Sequence, residues 1–212
     1  MLVFGGGNGR RIFRPAPAVS AGGAAPNIYQ DILGVSDAWG FWSAEEIAAA
    51  TRCPVGAIRE SWPLIYAALR DRGQASRASC AAAIATVAIE TASTFKPVEE
   101  AYWVPQPARD AYYNDTTKHA PYSDGGVKYH GRGFIQTTHD YNYRRVGFED
   151  NPDALLEPGP AAEAFGIYWQ DHDIRAIADV GDLTGARQAV VGRVAIPPGL
   201  ARLIQIVTDL GL

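Results

Sequence analysis

Apolar residues recur at helical spacing along much of the chain, and this periodicity is the feature that most restricts the fold. Val55, Ile58, Trp62, Ile65 and Leu69 follow one another at steps of three and four residues, which is the spacing of one face of an α-helix. No pair of segments shows the alternation of apolar and polar residues that is typical of half-buried strands. The sequence therefore predicts a mainly α-helical fold.

Helix boundary signals accompany this periodicity. Ser43, followed three residues later by Glu46, forms a capping-box pattern at the start of one helix. Pro54 suits the first turn of a second helix, which Gly73 closes. The alanine-rich segment 76–93 predicts a third helix with one apolar stripe. The residues of this stripe are Cys80, Ile84, Val87 and Ala88.

Three more helices are predicted in the second half of the chain, at 161–172, 184–192 and 197–211. Between them and the first three helices, residues 104–131 are rich in proline, asparagine, aspartate and glycine, which predicts a long loop. Loops longer than about 15 residues in a compact domain are usually functional or disordered. The segment is therefore a candidate for one wall of a substrate cleft.

The chain of 212 residues is long enough for one sizeable core. Residues 1–26 hold glycine, alanine and proline without periodicity, so we expect a flexible tail or interdomain linker ahead of a domain at 27–212. The N-terminus lacks the apolar core and cleavage site of a signal peptide. The protein is therefore expected in the cytoplasm of the cell that makes it.

Charge and composition restrict the partners. A net charge of −4 gives no reason to expect nucleic-acid binding, and no apolar run reaches the ~18 residues of a membrane span. The four histidines show no metal-ligand spacing, so neither a metal nor a cofactor is predicted. We expect a monomer. Cys53 and Cys80 are predicted to be buried thiols, with a single disulfide bridge as the alternative.

Carboxylates next to small and aromatic residues are the first candidates for chemistry. Glu90 ends the alanine-rich helix, where burial would favour its protonated form and suit a general acid. Pro97 interrupts the helix before Glu99 and Glu100, so Glu99 can lie across a groove from Glu90. Two facing carboxylic groups are what glycosidic hydrolysis requires. The alternatives are an exposed glutamate at a helix end and a solvated pair at a helix start.

Aromatic residues crowd the same region, and flat rings suit the apolar faces of sugars. Seven of the ten tyrosines, joined by Trp103, fall in this part of the chain, which is difficult to explain as core filling. They are Tyr102, Tyr112, Tyr113, Tyr122, Tyr129, Tyr141 and Tyr143.

Two motifs resemble a known family. The stretch "GRGFIQTTHDYNY" at 131–143 is similar to the signature of glycoside hydrolase family 19, which contains chitinases and phage lysozymes. The stretch "IETASTFKPVEE" at 89–100 resembles the segment of that family that carries its acid. The resemblance extends more weakly from Trp39 to the C-terminus, and it is nearest to the endolysin domains of phages that infect actinobacteria.

The resemblance implies a lysozyme-like, mainly α-helical domain and an inverting mechanism. Glu90 matches the general acid, and Glu99 matches the base that activates water. Asp110 and Asp115 are the alternatives for the base at plant-type spacing, and Glu100 is the neighbouring candidate. An inverting enzyme separates its two carboxyl groups by roughly 6.5–9.5 Å, which leaves room for the water.

Further site residues follow from the same resemblance. Thr138 matches the hydroxyl that holds the attacking water, and Arg132, between two glycines, is expected to tie the backbone of the cleft together. The remaining residues that the resemblance and the aromatic cluster assign to substrate binding are Gln136, Asn142, Tyr129, Tyr102 and Trp103. One departure from the family is that Val191 and Arg193 replace an asparagine and a glycine of the cleft.

The activity that the resemblance implies is hydrolysis of the β-1,4 glycan of bacterial peptidoglycan by an endolysin. Such a protein is made in the host cytoplasm and reaches the cell wall through a membrane lesion. The alternatives are a chitinase of the same family, a lytic transglycosylase, which needs no base, and a catalytically silent module that binds the wall.

Overall fold

In the computed structural model, which describes residues 39–101, 104–113 and 128–212, α-helices account for most of the secondary structure. The helices of this described part are α1 Ala44–Thr51, α2 Val55–Arg70, α3 Arg77–Glu90, α4 Gln106–Tyr113, α5 Asp140–Val146, α6 Pro158–Asp171, α7 Ile174–Asp179, α8 Leu183–Val191 and α9 Leu200–Asp209. A 3₁₀ helix spans Pro152–Leu156, and the short strands β1 Val98–Glu99 and β2 Arg132–Gly133 pair in antiparallel fashion. The prediction of a mainly α-helical fold is confirmed.

The helix starts follow the local signals. The capping box at α1 is present, because the Ser43 side chain accepts from the backbone of Glu46 and the Glu46 carboxylate accepts from the backbone of Ser43. Pro54 is the N-cap of α2 and not part of its first turn, so that prediction was wrong by one residue. Gly73 follows α2 in a turn with φ of 67°, a conformation that glycine adopts without strain.

Helix α3 is the centre of the core. All its residues from Ser79 to Ala88 are buried, so the predicted single stripe was wrong. The physical reason is that α1, α7, α8 and α9 all pack against α3, which leaves it no face toward solvent. Its many alanines suit this position because small side chains let neighbouring helices approach closely.

Helices α2 and α6 form the other main contact of the core. A Cβ atom at Gly166 would lie 2.9 Å from the Ala68 carbonyl oxygen and 3.0 Å from the Ala68 side chain. The glycine therefore allows this close approach. Trp169, one turn further along α6, is fully buried and donates from Nε1 to Ser79 Oγ at 2.9 Å, which connects α6 to α3.

Other predictions met mixed outcomes. Helix α4 lies within the segment 104–131 that was predicted to be a loop, so the loop prediction was wrong at 106–113. Residues 114–127 of that segment and the predicted tail 1–26 lie outside the described residues. The three late helices are present as α6, α8 and α9. Cys53 and Cys80 are free, buried thiols, as predicted. Among the helices described here, none is long and apolar enough to cross a membrane.

Candidate functional site

The two motifs from the sequence meet in the β1–β2 ladder. Glu99 lies opposite Arg132, and the backbone amide of Glu100 donates to the Gly131 carbonyl at 2.7 Å. The Gly131 amide in turn donates to the Glu100 carboxylate at 3.0 Å. The Gln136 side chain closes the ladder from the other side, since its Nε2 donates to the Val98 carbonyl at 3.0 Å. Glu99 is thereby fixed beside the glycine–arginine–glycine turn.

The Glu99 carboxylate has a specific partner. Its Oε1 lies 2.7 Å from Nε2 of His130, the residue that precedes the turn. The His130 side chain is only 6% exposed, whereas that of Glu99 is 25% exposed. The imidazole is therefore held by the core, and Glu99 keeps a face toward solvent. Sequence reasoning assigned no role to His130 beyond excluding a metal site.

Arg132 holds the backbone under this pair. Its Nη1 donates to the carbonyls of Lys128 at 2.9 Å and His130 at 3.2 Å, which is the tying role predicted for it. The same Nη1 donates to the Tyr143 hydroxyl at 3.2 Å, and that hydroxyl donates to the His130 carbonyl at 2.7 Å. Burial raises the pKa of Tyr143 to about 12, so the phenol keeps its proton and remains a donor. Nε of Arg132 makes an ion pair with Asp153 at 2.9 Å.

Polar side chains after the turn bond mostly to backbone. Thr138 Oγ1 donates to the Gln136 carbonyl at 2.8 Å, and Asn142 Nδ2 donates to the Thr138 carbonyl at 2.9 Å. Gln136 has φ of 54° and His139 has φ of 70°, both in the region that disfavours residues with a Cβ. The acceptor oxygens of Thr138 and Asn142 remain for a ligand. Their predicted contacts with substrate stay predictions.

Glu90, the other carboxylate, ends α3 in a pocket that contains a cation. Its Oε1 lies 2.5 Å from Nη1 of Arg187 on α8, and the two side chains are 15% and 3% exposed. Arg187 Nε donates to the Pro198 carbonyl at 2.6 Å. Sequence reasoning expected only small or apolar neighbours for Glu90 and missed Arg187. The available signal was an arginine directly after Ala186 on the buried side of a helix.

Tyr168 on α6 lies near both Glu90 and the second motif. Burial is the main cause of the raised pKa of its hydroxyl, and the nearby charge of Glu90 is the next. Tyr141 also raises this pKa, and Arg145 lowers it. Tyr141 is 58% exposed and its ring stacks on His139, so it offers a surface beside the polar motif. Glu90 and Tyr141 of the second motif thus both lie near the Tyr168 hydroxyl.

Several predicted site residues do not present a surface to a ligand or lie outside the description. Tyr129 is buried, with its ring 5.5 Å from that of Tyr143, which is fully buried. The prediction that the tyrosine cluster is not core filling was therefore wrong for these two. Asp110, an alternative base, is half-buried on α4. Tyr102, Trp103, Asp115 and Tyr122 lie outside the described residues.

The two candidate carboxylates are half-buried, and each is bonded to a nitrogen base or cation that is itself buried. Such groups are held in fixed orientations, which is what proton transfer to and from a bound substrate requires. In the described part of the chain, no group of three or more His, Cys, Asp or Glu side chains is arranged to hold a metal ion.

Comparison with known proteins gives structural likenesses at low sequence identity, two of which are described here. No protein-family model and no curated protein sequence matches the chain. Chitinase C from Streptomyces griseus is 19% identical with a TM-score of 0.47, over 84% of this chain and 96% of that chain. A mutant of chitinase C is 20% identical with a TM-score of 0.43, over 81% of this chain and 94% of that chain. At these identities and TM-scores the likenesses assign neither a family nor an activity.

Proposed function

We propose that this protein is a glycosidase that hydrolyses the β-1,4 glycan of bacterial peptidoglycan, as an endolysin does. The observation that supports it most is the β1–β2 ladder, which pairs Glu99 with Arg132 of the glycine–arginine–glycine turn, beside the Gly131–Glu100 bond that spans 31 residues. Glu90, at the end of the buried helix α3, supplies a second carboxyl group on the far side of a short turn. This pair is the minimum that hydrolysis of a glycosidic bond requires.

In the proposed mechanism the two carboxyl groups have different roles. Glu90 donates its proton to the glycosidic oxygen while the bond from that oxygen to C1 breaks. Glu99, as a carboxylate, takes a proton from a water molecule whose oxygen attacks C1 from the opposite face. The hydroxyl oxygen of Thr138 helps to hold this water. The new reducing end carries the inverted configuration.

The partners of the two carboxyl groups suit these roles. His130 orients Glu99 from the buried side, while the Glu99 side chain is 25% exposed and can be reached by water. Arg187 then stabilises the carboxylate that remains after the proton has left.

Peptidoglycan is the proposed substrate because of the resemblance of both motifs to phage endolysins. Such a protein is made in the host cytoplasm and acts on the wall after a membrane lesion forms. The joint presence of Glu90, Glu99 and Thr138 favours an enzyme over a silent wall-binding module, since binding alone would not require this set.

Mass spectrometry of the products tests the proposal. The wild type, Glu90→Gln and the control Glu60→Gln, which changes an exposed carboxylate, are incubated with peptidoglycan and with chitin oligomers. We expect hydrolysed muropeptides from the wild type and the control and none from Glu90→Gln, whose folding is checked by thermal unfolding. Products with anhydro ends would indicate a transglycosylase. An absence of products, with binding to the wall retained, would indicate a binding module.

A further inference from the structure

A second concave site lies beside α8. It is an open depression of about 690 Å³, within the size range of small-ligand sites. Gln188 on α8 lines one wall, and Arg193 and Val194, in the turn after α8, line the mouth. His172 and Ile177 line the opposite side. We call this depression the α8 pocket.

The α8 pocket is positively charged. Arg193 is the one permanently charged residue of its lining, and it forms neither an ion pair nor a hydrogen bond with any described residue. Of the nearest carboxylates along the chain, Asp171 pairs with Arg145, and Asp182 accepts from the amide of Gly185 at 2.8 Å and does not itself line the pocket. Asp173, the third acid nearby, is exposed and does not line the pocket. The Arg193 charge therefore remains for a ligand.

The rest of the lining combines hydrogen-bond acceptors with small apolar surfaces. Gln188 Nε2 donates to the Val194 carbonyl at 2.8 Å, which fixes the turn that carries Arg193 and leaves the Gln188 Oε1 as an acceptor. His172 Nδ1 lies 2.9 Å from the Tyr168 carbonyl and must donate to it, so in the neutral ring Nε2 is an acceptor. Ile177 and Val194 add apolar surface suited to methyl groups.

The α8 pocket adjoins the proposed catalytic site through two direct contacts. Arg187, which pairs with Glu90, precedes Gln188 on α8. Tyr168, whose pKa responds to Glu90, stacks its ring on His172 with centroids 3.8 Å apart. These two contacts place the pocket lining next to residues that surround Glu90.

We propose that the α8 pocket binds the carboxylate-bearing peptide branch of the glycan; this inference rests on the proposed glycosidase function. The planar guanidinium of Arg193 matches a carboxylate in a two-point contact. The Gln188 Oε1 accepts from a peptide N–H, and the apolar surface receives an alanine methyl group. Chitin carries only neutral acetamido groups and offers nothing to Arg193. The pocket thus selects peptidoglycan over chitin.

A binding experiment tests the pocket without requiring catalysis. The ligand is N-acetylmuramyl-L-alanyl-D-isoglutamine, which has one free carboxylate, and it is titrated into ¹⁵N-labelled full-length chain. The comparison ligands are the same molecule with its carboxylate amidated and di-N-acetylchitobiose. We expect shifts of the backbone amides at 185–195. Either change removes one exposed charge pair. We therefore expect the Kd of the amidated ligand for the wild type, and that of the charged ligand for Arg193→Gln, to be roughly three- to fivefold weaker than that of the charged ligand for the wild type.

The matched control is Arg59→Gln, which removes an exposed arginine from α2 and should leave this Kd unchanged. Equal affinity for the charged and amidated ligands, an unchanged Kd in Arg193→Gln, or shifts confined to residues outside 185–195 would overturn the proposal.

Kinetics separate the failure of the pocket from the failure of the enzyme. On the proposal, Arg193→Gln lowers kcat/KM for peptidoglycan fragments about three- to fivefold and leaves that for chitin oligomers unchanged. Equal losses on both substrates, or no loss on either, would overturn it. Hydrolysis of neither polymer by the wild type would refute the glycosidase alone, because the ligand titration still decides the pocket.

Discussion

The carboxylate of Glu90 and the guanidinium of Arg187 lie 2.5 Å apart although 97 residues separate them in the chain. Because the Arg187 side chain is almost fully buried, Glu90 is the group that balances its charge inside the protein. Arg187 also donates to the Pro198 carbonyl, and this bond connects it to the turn before α9. One buried guanidinium therefore joins the end of α3, helix α8 and this turn around the proposed acid.

Arg187→Met should lower both stability and activity, because it leaves Glu90 half-buried without its cation. Removal of one partner from a buried pair typically lowers the free energy of unfolding by about 3 kcal/mol. Urea unfolding measures the loss of free energy of unfolding. The kcat on peptidoglycan fragments should fall in the same variant. Arg70→Met, at an exposed ion pair, is the control and should change stability by less than about 1 kcal/mol. Equal effects of the two substitutions would contradict the role of Arg187.

His130→Ala should lower kcat about ten- to a hundredfold with little change in KM, because Glu99 loses the group that orients it. His130→Gln, which can still donate to the Glu99 carboxylate, should recover part of kcat. Steady-state kinetics on both variants, with unfolding curves to check the fold, measure this. A rise in KM at unchanged kcat, or no difference between the Ala and Gln variants, would show that His130 does not position Glu99.

Stability should fall above pH 9. Burial, with a smaller contribution from the nearby Asp179, raises the pKa of Cys80 from 9.0 to about 12, and burial also raises that of Cys53. Between pH 9 and 12 the unfolded chain loses the Cys80 proton while the folded chain keeps it, so the unfolded state gains stability as pH rises. One such group contributes a slope of about 1.4 kcal/mol per pH unit.

Urea unfolding of the wild type and Cys80→Ala between pH 8 and 11 measures this slope. We expect Cys80→Ala to be less stable at pH 8, because its buried thiol is lost, and to decline less steeply above pH 9. Parallel curves for the two proteins would mean that the Cys80 thiol does not carry the alkaline effect.

Gly166→Ala should destabilise the protein by about 1–3 kcal/mol, although alanine is the better helix former. The new Cβ would lie 2.9 Å from the Ala68 carbonyl oxygen and force α2 and α6 apart. Gly159→Ala, in the first turn of the same helix, meets no atom within 4 Å and should be neutral or stabilising by up to about 1 kcal/mol. Thermal unfolding compares them; a stable Gly166→Ala variant would refute the close helix contact.

Features encoded by neighbouring residues could be predicted from the sequence. The capping box of Ser43 and Glu46 depends on residues three apart, and the structure contains it. The burial of α3 on all sides could not be derived from its own residues, because it depends on four helices from other parts of the chain. Helix α4 was missed because the composition of segment 104–131 indicated a loop.

In the candidate site, too, features of neighbouring residues could be predicted from the sequence, whereas contacts between distant residues could not. The two motifs could be recognised from neighbouring residues, whereas their pairing in the β1–β2 ladder is shown by the structure. The partners of the carboxylates, His130 and Arg187, lie 31 and 97 residues away from them and could be identified only from the structure. Tyr129 shows the converse error, because its neighbours in sequence are polar while its ring is buried against Tyr143.

We propose a two-carboxylate glycosidase in which Glu90 is the acid and Glu99 is the base. The anomeric configuration of the first product is the most direct test of this mechanism. Time-resolved ¹H NMR follows the anomeric protons while the wild type cleaves a soluble β-1,4-linked peptidoglycan fragment. We expect the α-anomer of the new reducing end to accumulate first and then to mutarotate, with no signal from Glu90→Gln or Glu99→Gln. Initial formation of the β-anomer, a 1,6-anhydro product, or undiminished cleavage by either variant would contradict it.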